Sequence, residues 1–470
     1  MFSAFSALSV RGRGAARLAA VTFVSGLLAA GATVAVAGTA SADEAAQNQR
    51  GATATIGGLK TYGDAVIHDT DGDLQVPAGL FEMSVEGGGT LQTYCVDLYN
   101  PTQKDAKYHE TDWSGTSLGA NKSAGKIRWI LENSYPQVND LAALAAKAGI
   151  TAGLTEQDAA AGTQVAIWRY SDAADVDAAD PQAEKLADYL EKSARDIAEP
   201  AASLTLDPPA VSGHPGELLG PVTVHTNAAG ATVTPPADAA TTGVRIVGKD
   251  GRPVTSVSNG SELYFDVPED AAAGSADLTV QASTTVPVGR AFASESRSQT
   301  QILAGSSEST VSATASSTWA KQGAVPALSA GRNCTEGGLD ITAVNQGDEE
   351  FAFELMGTEY VIAAGETRTV TVPLQEDQAY DFTITGPDGL AERFTGVLDC
   401  RTRSSETGAT TQTLSEPSPA TVALPTTDVN LAETGGSATT PLIAGTAIAL
   451  VVIGGAALVL TGRKQNRAQD

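Results

Sequence analysis

The stretch Thr155-Glu156-Gln157-Asp158-Ala159-Ala160-Ala161-Gly162-Thr163-Gln164-Val165-Ala166-Ile167-Trp168 decides the reading of this chain. Thr155 can cap a helix, with Asp158 three residues on as an acidic version of the capping box. At helical spacing Ala160, Gln164, Ile167 and Trp168 fall on one face. A polar glutamine is thereby set into an apolar stripe. A buried carboxamide needs hydrogen-bond partners. Gln164 is therefore either paired or chemically altered.

Working outward, this helix belongs to a first domain of sheet and helices, residues 43–200. Its front half reads as strands at Thr53–Ile56, Ala65–Ile67, Phe81–Val85 and Leu91–Leu98, broken by glycine turns. Its back half reads as helices. Ile127, Ile130 and Leu131 share a face ahead of Pro136. Asp140 caps a short Ala/Leu helix that stops at Gly149. Asp180-Pro181 opens another, with the stripe Leu186, Tyr189, Leu190 and Ile197, ended by Pro200.

After Pro200 the apolar period becomes two. Val222 and Val224 alternate, as do Leu263, Phe265 and Val267, and Leu278 and Val280. Lys249-Asp250-Gly251 is a hairpin signal. Residues 201–320 read as an all-β, sandwich-like domain whose Ser306–Ser317 stretch links it onward. A second, smaller β unit spans 331–402, with strand patterns at Leu339 and Ile341, at Phe351, Phe353 and Leu355, and at Tyr380, Phe382 and Ile384. Cys334 opens it and Cys400 closes it, so an oxidising compartment favours a disulfide between them, adding roughly 2–4 kcal/mol. Residues 403–430 are rich in Ser, Thr and Pro and lack the apolar residues for a core. They read as a disordered stalk that, extended, reaches on the order of 100 Å.

The two ends read as addresses. Arg11, Arg13 and Arg17 precede an apolar run to Ala37 and the small-x-small site Ala40-Ser41-Ala42, a secretory signal peptide over 1–42. At the other end, residues 431–470 carry Leu431-Ala432-Glu433-Thr434-Gly435. An apolar run, Pro441 to Leu460, follows and is long enough for a transmembrane helix. Arg463, Lys464 and Arg467 then hold a basic tail on the cytoplasmic side. This ordered signal resembles a sortase sorting signal of the LAXTG type, a variant of LPXTG. The resemblance implies cleavage between Thr434 and Gly435 and transfer of the chain to peptidoglycan.

The formal net charge of −26 over 470 residues argues against a nucleic-acid partner, which would call for basic patches. Of the three cysteines, the one left outside the expected disulfide is Cys95, in Tyr94-Cys95-Val96-Asp97. This motif, followed by Thr163-Gln164-Val165-Ala166-Ile167-Trp168, resembles the class I thioester domain (TQXA domain) of Gram-positive surface adhesins. The resemblance covers about 150 residues, on the domain sizes expected here. It implies a cross-link between the Cys95 sulfur and the Gln164 side-chain carbonyl, made with loss of ammonia. A thioester is a far better acyl donor than an amide because thiolate is the better leaving group. An amine on a target surface, from a protein lysine or a polyamine, would then be captured as a stable amide.

On this reading Trp168, Tyr94 and Ile167 shield the bond, and Asp97 and Thr163 are candidates to orient it. The event is a single turnover, not enzymatic catalysis, and calls for no cofactor. The expected partners are the amine-bearing target, sortase and peptidoglycan, for a secreted, wall-anchored protein. One rival is a Cys/His hydrolase or transglutaminase, which would need Cys95 activated by His68 or His109. Another is an inert display protein with a free Cys95 thiol. Asp69-Thr70-Asp71-Gly72-Asp73 hints at calcium, but its glycine is misplaced for an EF-hand and a solvated turn reads better. No nucleotide loop, zinc spacing or Ser/His/Asp set is present.

Overall fold

The computed structural model describes residues 50–70 and 72–401. The expected signal peptide, stalk, Thr434–Gly435 sorting site, transmembrane helix and basic tail lie outside the described residues. Among the described residues no helix is long and apolar enough to cross a membrane.

The chain opens with β1 (Thr53–Ile67), β2 (Leu74–Val85), β3 (Thr90–Cys95) and β4 (Lys107–Thr111). The two short strands expected at 53–56 and 65–67 are one strand. The glycines between them bulge it instead of turning it: the β1–β2 register shifts between Ile56 and Gly58, and Gly58 has φ 106°. Three consecutive left-handed glycines, Gly87 to Gly89, do make the turn between β2 and β3.

The helices follow their caps. α1 (Ala124–Asn133) buries Ile127, Ile130 and Leu131. α2 (Leu141–Lys147) starts at Asp140, whose carboxylate accepts the Ala143 N–H. α3 (Glu156–Ser171) carries the full reciprocal capping box of Thr155 and Asp158. After β5 (Val176–Ala178), α4 (Pro181–Ser193) is capped by Asp180, which accepts from Gln182 and Ala183. α4 ends at Ser193, so Ile197 is not on its stripe. The Asp196 carboxylate and the Ile197 main chain instead lie against Gly125 of α1, where a Cβ would come within 2.4 Å of the Ile197 carbonyl oxygen. Tertiary packing overrides the helical period there.

The largest departure from expectation is topological. The first sheet does not end near residue 200. Strands Ala291–Ser294 and Gln301–Ser306 return to it and insert between β3 and β4, giving seven strands whose pairings are all antiparallel. The β domain that begins at Leu204 is thus interwoven with the first sheet: the chain leaves for it, returns at 291–306, and leaves again for one last strand of it. Its strands form a four-stranded and a five-stranded sheet. The expected link at 306–317 is a strand as well. Glu308–Trp319 pairs over twelve residues with Gly274–Thr285 and runs parallel to Ala210–Gly213. Its Val311, Ala313 and Ala315 are buried between serines and threonines, a period of two muted by small side chains.

Alternating residues of the first sheet feed two cores. Leu80, Ala291, Ile302 and Ala304 join the helices' Ile127, Ile130, Leu144, Ile167 and Leu186. Their neighbours Phe81, Phe292 and Leu303 join Val222, Phe265, Leu278 and Val311 of the β domain. The last unit, from strand Pro326–Asn333 to strand Ala391–Leu398, has its own core around Ile341, Phe351, Phe353 and Ile384. The expected disulfide is formed, Cys334 to Cys400, across a separation of 66 residues.

Candidate functional site

The pairing of β2 with β3 stops at Phe81 and Thr93, while β2 continues along β1. The end of β3 would be left with unmatched backbone groups on that side. The Gln164 carboxamide takes the place of a strand there. Its Nε2 donates to the Cys95 carbonyl at 2.9 Å, and the Cys95 N–H donates to its Oε1 at 3.1 Å. Cys95 Sγ lies 3.5 Å from that same oxygen. Both residues are buried, Gln164 completely. α3 delivers Gln164 because its capping box fixes the helix start and Gly162 allows close approach to α4. A Cβ at Gly162 would meet the Ala183 carbonyl oxygen at 2.4 Å.

This arrangement has chemical content. One N–H polarises the Gln164 carbonyl at the oxygen where negative charge would develop, as an oxyanion donor does. The Trp168 indole N–H, one helical turn from Gln164, donates to Cys95 Sγ at 3.1 Å. Burial pushes the Cys95 thiol well above its ordinary range, and the charge of Asp172 adds to this, while the Trp168 hydrogen bond opposes it. Asp172, the residue after α3, accepts from the Leu98 N–H at 3.0 Å and from the Ser171 hydroxyl. Burial raises its carboxyl to about 6, against the lowering effect of those two hydrogen bonds.

The other candidates fall around this centre. The Tyr94 hydroxyl donates to the Tyr135 carbonyl at 2.8 Å, and the Thr163 hydroxyl also acts on it. Thr163 donates back to the Ala159 carbonyl at 2.7 Å. Asp97 is buried, and its carbonyl accepts from the Gln299 side chain. The histidines of the hydrolase alternative are engaged elsewhere. His68 bonds to Asp73 and Asp177, and His109 to Thr53 and Glu295. Among the described residues no group of three or more His, Cys, Asp or Glu side chains could hold a metal ion; Asp71 of the calcium-like turn lies outside them.

Asp172, Gln299 and Gln301 were not singled out from the sequence. Asp172 had a signal, since an acid just past a helix C-terminus opposes the helix dipole and calls for a reason. Gln299 and Gln301 had none, because nothing local says that their segment returns to β3.

A sequence model of the thioester domain matches residues 92–196, and one of the C-terminal domain of bacterial phospholipase C matches residues 320–397. No curated protein matches the chain. Among solved structures, the Bacillus anthracis TIE protein is 15% identical at a TM-score of 0.26, the match covering 74% of this chain and 63% of that one. The chain thus spans less than two thirds of that relative's length. The thioester domain of the Enterococcus faecium TIE86 protein is 17% identical at a TM-score of 0.27, covering 58% of this chain and 98% of that one. The Escherichia coli chaperone DraB follows at 12% identity and a TM-score of 0.16, covering 43% and 99%. At these scores the spatial correspondence is loose. The family likeness of this chain is therefore to the thioester domain, over the 92–196 segment that holds both Cys95 and Gln164.

Proposed function

We propose that Cys95 and Gln164 form an internal thioester that captures amines on a target surface, making this a covalent adhesin. The Cys95 sulfur adds to the Gln164 Cδ, the Cδ–Nε2 bond breaks, and ammonia departs carrying the thiol proton. An incoming amine later adds to the same carbon. The C–S bond breaks, the sulfur takes up a proton, and a stable amide to Gln164 remains. One chain reacts once, so this is attachment and not turnover. The supporting observation is the double grip of the Cys95 backbone on the Gln164 carboxamide, at 3.1 and 2.9 Å, with Sγ against its oxygen and an indole N–H on the sulfur.

The terminal signals extend the proposal. Export through the signal peptide, sortase cleavage between Thr434 and Gly435 and linkage to peptidoglycan would display the domain on the cell surface. The intervening β units would then hold it away from the wall.

Intact mass of a fragment spanning 43–402 tests the chemistry. The thioester gives a deficit of about 17 Da, beyond roughly 2 Da for the disulfide. Methylamine then adds its whole mass at Gln164, and Cys95→Ala abolishes both effects. A mass lowered by the disulfide alone, with no amine uptake, would leave a plainly hydrogen-bonded glutamine and an inert display protein.

A further inference from the structure

We infer that Gln299, with Gln301 behind it, is a positioning residue for thioester formation, clamping the turn that follows Cys95 so that the sulfur stays against the Gln164 carbonyl. This rests on the thioester reading and adds residues more than a hundred positions beyond the matched segment.

The turn after Cys95 has little regular structure of its own. It is held largely by the connection between the two returning strands. The Val96 N–H donates to the Thr300 carbonyl at 3.1 Å, and Gln301 pairs opposite Cys95. The Gln299 Nε2 donates to the Asp97 carbonyl at 2.6 Å, and its Oε1 accepts from the Thr102 hydroxyl at 2.6 Å and from Gln301 Nε2 at 3.3 Å. Gln301 Oε1 in turn accepts from the Thr93 hydroxyl at 2.9 Å, two residues before Cys95. Farther along, Gln103 is held by the Ser298 hydroxyl and the Arg297 carbonyl. The chain is thus tied on both sides of the cysteine by two buried carboxamides in one connected network.

Such a network is costly to bury and rigid once every group is satisfied. Rigidity is what the first step needs. An intramolecular attack demands reacting atoms about 3–3.5 Å apart, and an error near 1 Å can cost about a hundredfold. Once the bond exists it holds the two residues together by itself. The clamp therefore acts on formation and much less on later attack by an amine.

The test is a time course of intact mass on full-length chain from a pulse of cell-free synthesis, with Gln299→Met, Gln301→Met, Thr102→Val and Thr102→Ser. Gln299→Met should form the thioester at least about tenfold more slowly than the parent, at the lower end of such misplacement costs. The fraction that does form should react with methylamine within about threefold of the parent rate. Thr102→Ser keeps the hydroxyl and should match the parent, while Thr102→Val should be slowed. If Gln299→Met loses its near-ultraviolet circular dichroism, the Thr102 pair decides. Parent-like formation in Gln299→Met and Thr102→Val overturns the clamp while leaving the thioester standing. A parent chain with no mass deficit sinks the thioester reading itself.

Discussion

Cys95 sits where a thiolate is expensive, and that cost bears on how long a thioester survives. Burial disfavours the departing thiolate first, and the Asp172 charge disfavours it further, while the Trp168 N–H offsets part of the penalty. Two substitutions separate these effects. Trp168→Phe removes the donor to sulfur and should slow methylamine capture about tenfold, equivalent to about 1.4 kcal/mol. Asp172→Asn keeps an oxygen for the Leu98 N–H but removes the charge. After methylamine has freed the thiol, the pH midpoint of Cys95 alkylation should fall in Asp172→Asn and rise in Trp168→Phe. The carboxyl also carries a stability signature. It titrates near 6 in the fold against 3.8 in an open chain, so the folded state holds its proton more tightly. Its contribution is most favourable below about pH 4, is lost as the pH rises to about 6, and stays lost above. Asp172→Asn should therefore gain about 1–2 kcal/mol over the parent at pH 7, a figure reduced for partial exposure, and nothing at pH 4. Urea midpoints at the two pH values check this; an equal gain at both would contradict it.

At the scale of elements, α3 was the most legible part of the chain. Its cap, its length and the placement of Gln164 on a buried face are all local properties, written in Thr155, Asp158 and the helical spacing of Gln164, Ile167 and Trp168. The packing reason for Gly162 was not legible, because it depends on the Ala183 carbonyl of α4. That dependence reverses an ordinary expectation. Alanine in place of glycine inside a helix gains about 1 kcal/mol of intrinsic propensity. Here its Cβ would sit 2.4 Å from backbone oxygen, which cannot rotate away. Overpacking of this kind costs about 1–3 kcal/mol, so Gly162→Ala should lower the unfolding midpoint despite the propensity gain. Sliding α3 off α4 would also move Gln164 from Cys95, so the same variant should form less thioester. The strands were less legible for a related reason. Val311, Ala313 and Ala315 do alternate, but among serines and threonines their apolar signal is weak, and the segment reads as a link. The bulge at Gly58 reads in sequence as an interruption because a glycine in a strand and a glycine in a turn look alike until the partner strand is known.

At the scale of the molecule, the partition into a first domain ending at residue 200 and a separate β domain fails on a long-range fact that no local pattern encodes. The strands at 291–306 complete the first sheet, and one face of that sheet shares a core with the interwoven β domain. Two of the three chain crossings between these regions, near residues 200 and 290, meet at Arg290, which is 1% exposed. Its Nε donates to Glu110 at 3.0 Å, one Nη to Glu199 at 2.9 Å and the Pro200 carbonyl at 3.1 Å, and the other to Asp112 at 3.0 Å. Glu110, equally buried, also accepts from the Ala52 and Ser203 N–H groups and the Ser203 hydroxyl. A single guanidinium thus joins β4, the exit from α4 and the entry to the returning strands. Removing one partner of a buried pair leaves the other charge uncompensated, at about 3–5 kcal/mol. Arg290→Met should show that loss, because Glu110 keeps only its neutral donors. Adding Glu110→Gln removes the stranded charge and should recover part of it. Because the two regions share a core, the parent should unfold them in one thermal transition by calorimetry, and Arg290→Met should lower it. If Arg290→Met unfolds at the parent temperature, the guanidinium is not what ties the β domain to the first sheet, and the shared apolar core alone must hold them together.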